Sequence, residues 1–305
     1  ALAREIAKFA NDPYGYVLSV FPWGEPGTDL ERAAGPDAWQ TEALRSIGEE
    51  VSKRAFNGHT PVSPIRYCRA SGHDIGKTTL AAWIANWIKD TRPDSVGTIT
   101  ANTFTQLETK TWAAIQKWAK LAITRDWWEI TASKIYSKQK DKAEIWFLSC
   151  QSSNEENSEA FAGQHAKFST SYYIFDEASA IPDEIWRVAE GGLVDGEPMI
   201  FAFGNPTRNT GAFYEACFGG KRHRWNHGSI DSRHSGISNK ETIEEWLQDY
   251  GEESDFFRVR VRGVPPMASE NQLIGRDLIE SAQRRVVSAL PDDALVAGVD
   301  VPDGG

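Results

Sequence analysis

The sequence predicts an α/β protein built on a mostly parallel sheet with helices on both faces. Three observations carry that expectation. Short apolar runs of strand length recur along the chain: IRYCRA (65–70), GTITA (97–101), EIWFLSC (144–150), YYIFDEA (172–178) and MIFAFGNPT (199–207). Between them lie longer stretches with apolar residues at helical spacing, and such alternation is the pattern of crossover-connected parallel strands. The chemically unusual residues fall at the carboxyl ends of the runs, where open sheets of this kind carry their sites.

Each element has its own warrant. Asp37 is placed to cap a helix in which Leu44, Ile47 and Val51 share one face. Leu80, Trp83, Ile84, Trp87 and Ile88 form an apolar stripe on the helix expected from Thr78. Trp112, Ile115 and Trp118 mark a helix over 104–122. Residues 151–158 (QSSNEENS) read as a polar loop, and a helix is expected near 181–190. Beyond about 216 the pattern loosens and His and Arg become frequent. A helix is expected at 239–250, and 265–290 read as a linker holding a helix. DALVAGVDVPDGG begins a further buried strand. The division expected is a core at 1–215, a small linker or lid subdomain at 216–265, and a linker with a new strand at 266–305.

Composition narrows the function. The chain has 305 residues, 40% apolar and 25% charged, as in ordinary globular domains. No run approaches the roughly 18 apolar residues of a membrane span, and the first residues do not read as a secretory signal. Three cysteines at wide spacing form neither a disulfide framework nor a zinc motif; two lie in apolar runs and read as small core residues. A net charge of −10 argues against nucleic-acid binding over the whole surface but leaves room for a local patch. The 12 tryptophans, mostly at helical spacing, read as core or interface residues.

The strongest local signal is Ser71-Gly72-His73-Asp74-Ile75-Gly76-Lys77-Thr78-Thr79. It departs from G-x-x-x-x-G-K-[ST] because Ser71 stands at the first glycine and Gly72 is displaced by one. The strand before it and the helix after it restore the context. Loop amides and the helix N-terminus would cradle phosphate, Lys77 would neutralise β- and γ-phosphate charge, and Thr78 would ligate Mg²⁺. The competing reading is a plain glycine turn with a surface lysine.

Tyr172-Tyr173-Ile174-Phe175 suits a strand buried on both faces, and it ends in Asp176-Glu177. The Asp is placed to help hold Mg²⁺ and the Glu to polarise an attacking water. A solvated acidic turn is the alternative. Together the loop and the acid pair place the fold among the P-loop NTPases, RecA/ASCE-like, with a small C-terminal subdomain. Gln40 could contact an adenine edge or simply sit on a helix surface. Asn205 could sense the γ-phosphate or close a turn. His165 reads as structural, and His73 as a phosphate contact, an intersubunit contact or a solvent-facing loop residue.

Taken in order, Gln40 in PDAWQTEAL, ASGHDIGKTT, TANTFTQ, FAGQHAKF, YYIFDEASAIPDEIW and FGNPT resemble the motifs of the large terminase subunit of tailed bacteriophages. YGEESDFFRVRVRGVPP resembles the close of that family's ATPase region, and GVDVPDGG the first strand of its RNase H-like nuclease. The resemblance implies an ATP-driven motor that packs double-stranded DNA into a procapsid in the host cytoplasm. It implies a homo-oligomeric ring on the portal protein, a small terminase subunit as partner, and no membrane. It gives Lys77, Thr78, Asp176 and Glu177 the loop and acid-pair roles, Gln40 the adenine contact, and Asn205 the coupling of hydrolysis to movement. Asp300 becomes the first metal-binding carboxylate of the nuclease.

Two departures matter. His73 stands where many members of that family carry arginine, so the transition-state arginine is expected elsewhere, with Arg69, Arg187 and Arg208 as candidates. Asp300 and Asp303 alone cannot build a two-metal site, so no DNA cleavage is expected from these residues. For DNA contact the candidates are Arg258, Arg260 and Arg262, alternating on a strand face, and the cluster Lys221-Arg222-His223-Arg224. The rival readings are a helicase-like ATPase and a non-hydrolysing nucleotide-dependent scaffold.

Overall fold

In the computed structural model, which describes residues 1–153, 158, 161–267 and 282–285, the apolar runs become the centre of one sheet. Its strands are β1 (Ile65–Ser71), β2 (Val96–Thr100), β3 (Trp128–Ile130), β4 (Lys134–Ser137), β5 (Phe147–Cys150), β6 (Ser171–Phe175), β7 (Met199–Gly204) and β8 (Asn226–Ile230). They lie in the order β3-β4-β5-β2-β6-β7-β1-β8. Every pair from β5 to β8 is parallel, whereas β3, β4 and β5 pair antiparallel. Residues Ala1–Pro266 form one compact unit.

The central strands are buried on both faces, which is why they read as continuous apolar runs. One face packs Tyr67, Ile99, Tyr172, Ile174, Phe201 and Phe203 against the helices Pro13–Val20, Ala38–Arg54, Lys77–Thr91 and Ala113–Leu121. The other packs Tyr173, Phe175, Ile200 and Ala202 against the helices Asp183–Gly191 and Ala212–Cys217. Tryptophans serve mainly as core: Trp23, Trp83 and Trp118 cluster, with Trp83 and Trp118 edge to face at 5.1 Å. Cys68 and Cys217 are buried thiols, and Cys150 is half-buried.

Five local features differ from the sequence reading. The helix Lys77–Thr91 is buried nearly all round, not along one stripe, because the N-terminal helices cover its outer side; Trp87 donates to the Phe9 carbonyl at 2.8 Å. Its last turn carries a buried polar cluster in which Asp90 receives Tyr16 at 2.6 Å and also meets Lys89 and Thr124. The expected helix over 104–122 contains a π-helical turn, Leu107–Trp112. The hairpin of β3 and β4 and the edge strand β8 are too short or too polar to announce themselves. Finally, Arg258, Arg260 and Arg262 do not line a strand. Arg258–Arg262 is a π-helical turn, since Phe257 and Val261 are both buried and that helical spacing overrides the two-residue alternation.

Candidate nucleotide-binding site

Three neighbouring strands, β6, β7 and β1, end side by side, and each delivers part of the site. Phe175 pairs with Ala202 and Ala70 with Gly204, so Asp176 and Asn205 leave the sheet at the same edge, with Ser71, the last residue of β1, beside Asn205. The Asn205 amide spans two of them. Its Nδ2 donates to the Ser71 carbonyl at 2.7 Å, and its Oδ1 lies 3.5 Å from Lys77 Nζ. Thr78 Oγ1 donates to Asp176 Oδ2 at 2.9 Å. Lys77 and the Asp176–Glu177 pair therefore converge, although about a hundred residues separate them in sequence.

The electrostatics match the crowding. Lys77 is 8% exposed, and burial lowers its pKa against the opposing pull of Glu177 and Asp176. Burial also raises the Glu177 carboxyl, reinforced by the Asp176 charge and resisted by Lys77 and Lys110. Glu177 has φ 50°, and its amide donates to Asp176 Oδ1 at 3.1 Å. A non-glycine residue in left-handed backbone is uncommon and costs free energy. Here it turns the chain sharply off β6.

The deviant glycine has a steric cause. The back of the loop is packed against residues 230–261. Gly72 N donates to the Ile230 carbonyl at 3.1 Å and His73 N to the Arg260 carbonyl at 2.7 Å. A Cβ on Gly72 would strike the Ser232 hydroxyl, the Val261 carbonyl at 2.5 Å and the Arg260 carbonyl at 2.7 Å. Ser71 is still the last residue of β1, so no glycine is needed there. Gly76 is needed for its backbone, with φ 80° before the helix. Ser232 Oγ donates to the His73 carbonyl, Ser238 Oγ to that of Asp74 at 3.4 Å, Trp39 Nε1 to that of Ile75, and Gln40 Nε2 to that of Gly76. Each residue from Gly72 to Gly76 is thus fastened from outside the loop. Thr79 continues the helix.

The other sequence candidates fall in different places. Gln40 is buried. Its Oε1 accepts from Asp37 N at 2.9 Å, closing a capping box, while its Nε2 holds Gly76 at 3.0 Å. His73 lies beside Lys77 and Arg260, and burial followed by those charges lowers its pKa. His165 is exposed and 3.2 Å from Asp195. Arg69 is consumed within the sheet: it donates to the Cys68 and Asn226 carbonyls at 2.9 Å and stacks on Tyr67. Arg187 is exposed and pairs with Glu184 on its own helix. Arg208 is exposed, three residues past Asn205. Arg262 bonds Glu253 at 2.7 Å, and Arg258 also reaches Glu253. Asp300 and Asp303 lie outside the described residues.

One site residue escaped sequence reasoning. Thr111, buried on the π-helical turn, donates to Asp176 Oδ2 at 2.8 Å. A hydroxyl and a carboxylate 65 positions apart leave no local signal.

No family model matches the chain. Over 167 residues it is 31% identical to the probable terminase large subunit of Enterobacteria phage P7, a match that covers 52% of this chain and 33% of that protein. The chain is similar, over those 167 residues, to a phage large terminase. It spans about a third of the length of the curated terminase it matches. The large terminase of a thermophilic bacteriophage superposes with a TM-score of 0.57 at 13% identity, over 79% of this chain and 57% of that one. The ADP complex of that terminase gives 0.56 at 14%, over 76% and 54%. Its ATP-γ-S complex gives 0.51 at 15%, over 76% and 53%. The fold is the mostly parallel α/β fold of that large terminase, of the P-loop ASCE type that the sequence reading expected.

Proposed function

We propose that this chain is the ATP-hydrolysing part of a terminase motor that drives double-stranded DNA into a procapsid. The observation that carries the reading is the meeting of Lys77, Thr78, Asp176, Glu177 and Asn205 at the ends of β1, β6 and β7. The relationship to terminases supports it.

In this reading the loop from Ser71 to Thr79 cradles the triphosphate with amides beyond His73, since those of Gly72 and His73 are already used. Lys77 turns from the Gly72 carbonyl, now 2.9 Å away, toward the β- and γ-phosphate oxygens. Thr78 and Asp176 would hold Mg²⁺, which supplies charge neutralisation at those phosphates when bound; two oxygen donors suit that hard cation, and Thr78 can offer a lone pair while its hydrogen stays on Asp176. Glu177 accepts the proton of the water that attacks the γ-phosphorus in line. Its raised pKa makes it a better base than an exposed glutamate. Gln40 has one amide hydrogen and one lone pair left for an adenine edge.

Departure of the γ-phosphate is felt at Asn205 and Lys77. Because Gly72 and His73 are bonded to Ile230 and Arg260, movement of the loop passes to the segment 216–265, the proposed lid on the core of 1–215. Lys221 and Arg222, on the exposed turn Lys221–Arg224, are the better candidates for DNA phosphates, since Glu253 already engages Arg258 and Arg262 and Glu190 engages Arg224. A ring on the portal, a small terminase subunit, action in the host cytoplasm, and a nuclease beginning in 266–305 with Asp300 complete the proposal. Among the described residues no helix is long and apolar enough to cross a membrane.

Phosphate release from ATP, with and without double-stranded DNA, tests the reading. Wild-type protein should turn over, and Glu177→Gln should bind ATP with turnover lowered about 10²–10⁴-fold. Undiminished turnover in Glu177→Gln refutes the base, and nucleotide binding without any wild-type hydrolysis refutes the motor.

A further inference from the structure

Asp176 is 1% exposed, and its carboxylate has three protein donors. Oδ1 takes the Glu177 amide, while Oδ2 takes two hydroxyls, Thr78 at 2.9 Å and Thr111 at 2.8 Å. The Thr78 oxygen is the one a metal ion would also need. Thr111 has no such second duty.

We propose that Thr111 is a positioning residue that fixes the Asp176 carboxylate in the orientation from which it would hold Mg²⁺, and that the π-helical turn exists to deliver it. This rests on the ATPase reading above. Two observations separate this from ordinary packing. A buried helical threonine usually returns its hydroxyl to a carbonyl of its own helix. Thr91, buried at the end of the helix Lys77–Thr91, does so, donating to the Trp87 carbonyl at 2.6 Å, as does the exposed Thr109 to the Thr105 carbonyl at 2.6 Å. Thr111 instead sends its hydroxyl across to the carboxylate at the end of β6. The turn that carries it, Leu107–Trp112, is π-helical, a wider and costlier geometry that recurs at functional sites. The wider turn keeps Leu107 and Trp112 in the core while swinging Thr111 onto the acid.

The test measures ADP affinity by calorimetry with and without Mg²⁺, alongside ATP turnover against Mg²⁺ concentration. Thr111→Val keeps the β-branched shape and removes the hydroxyl. It should weaken the Mg²⁺-dependent part of ADP binding and raise half-saturating Mg²⁺, each about 10-fold, the usual cost of losing a partner behind a metal ligand. Affinity without Mg²⁺ should not change. Thr111→Ser should restore both, and Thr109→Val should match wild type in both. If the valine variant does not fold, Thr111→Ala is measured in its place. Wild-type Mg²⁺ dependence in a folded variant lacking the hydroxyl overturns the proposal alone. Wild-type protein that binds no nucleotide overturns the ATPase reading, and this inference with it.

Discussion

The two halves of the site, the loop after β1 and the acid pair after β6, are built on different principles. The loop departs from its usual pattern, whereas the acid pair is complete. The loop's glycine is a steric requirement, imposed by the Val261 and Arg260 carbonyls 2.5 and 2.7 Å from where a Cβ would stand. Such a requirement moves with whatever packs behind the loop. The carboxylates are a chemical requirement, since a cation and a water need oxygen at set places, and no change of packing relieves that. A motif can therefore drift where packing dictates it and stay whole where chemistry does.

The contrast is open to attack from its strongest consequence downward. Lys77→Met should cost turnover about 10²–10³-fold, as loss of a group that meets transition-state charge does. Its thermal stability should change less than its turnover, because burial disfavours the lysine charge while Glu177 and Asp176 favour it. A variant that unfolds yet turns over when stabilised would reverse the two halves. Gly72→Ala should do the opposite and destabilise by about 2–3 kcal/mol through overpacking, read from denaturant unfolding. Adding Ser232→Ala should recover only part of that loss, because the two carbonyls stay.

Ser71→Gly brings back the usual glycine, but at a residue still in β1. It should cost about 0.5–1 kcal/mol and gain no turnover. A clear rise in turnover would show that the loop is a damaged motif rather than a relocated one. The smallest effect concerns pH. Glu177 must be ionised to act as base, and its pKa is raised, so single-turnover rates should fall on the acid side at a pH above the ordinary glutamate value of about 4.3. A raised carboxyl contributes stability that is full below its unfolded pKa and lost as pH rises through the folded one. At a pH above the raised pKa that contribution is gone, so Glu177→Gln should there melt no lower than wild type.

Much of this was legible before any coordinates. The apolar runs of β1, β2, β6 and β7 announce themselves because strands buried on both faces have nothing polar to alternate with. Lys77, Thr78, Asp176 and Glu177 announce themselves because they sit at strand ends in a known order. Asp37 was visible as a cap, but the return bond from Gln40 was not, and that bond ties the same residue to Gly76. The Arg258–Arg262 run misled because two-residue alternation of charge looks like a strand. Burial of Phe257 and Val261 decided otherwise.

The amino-acid sequence by itself determined the parallel α/β layout and the chemistry of the phosphate end, because periodicity and residue type are local properties. Only the tertiary structure decided why the glycine is at 72, that Arg69 is occupied by β8, and that Thr111 reaches Asp176. Each of those depends on contacts between residues dozens to well over a hundred positions apart, and distance along a chain says nothing about distance in space until the chain has packed.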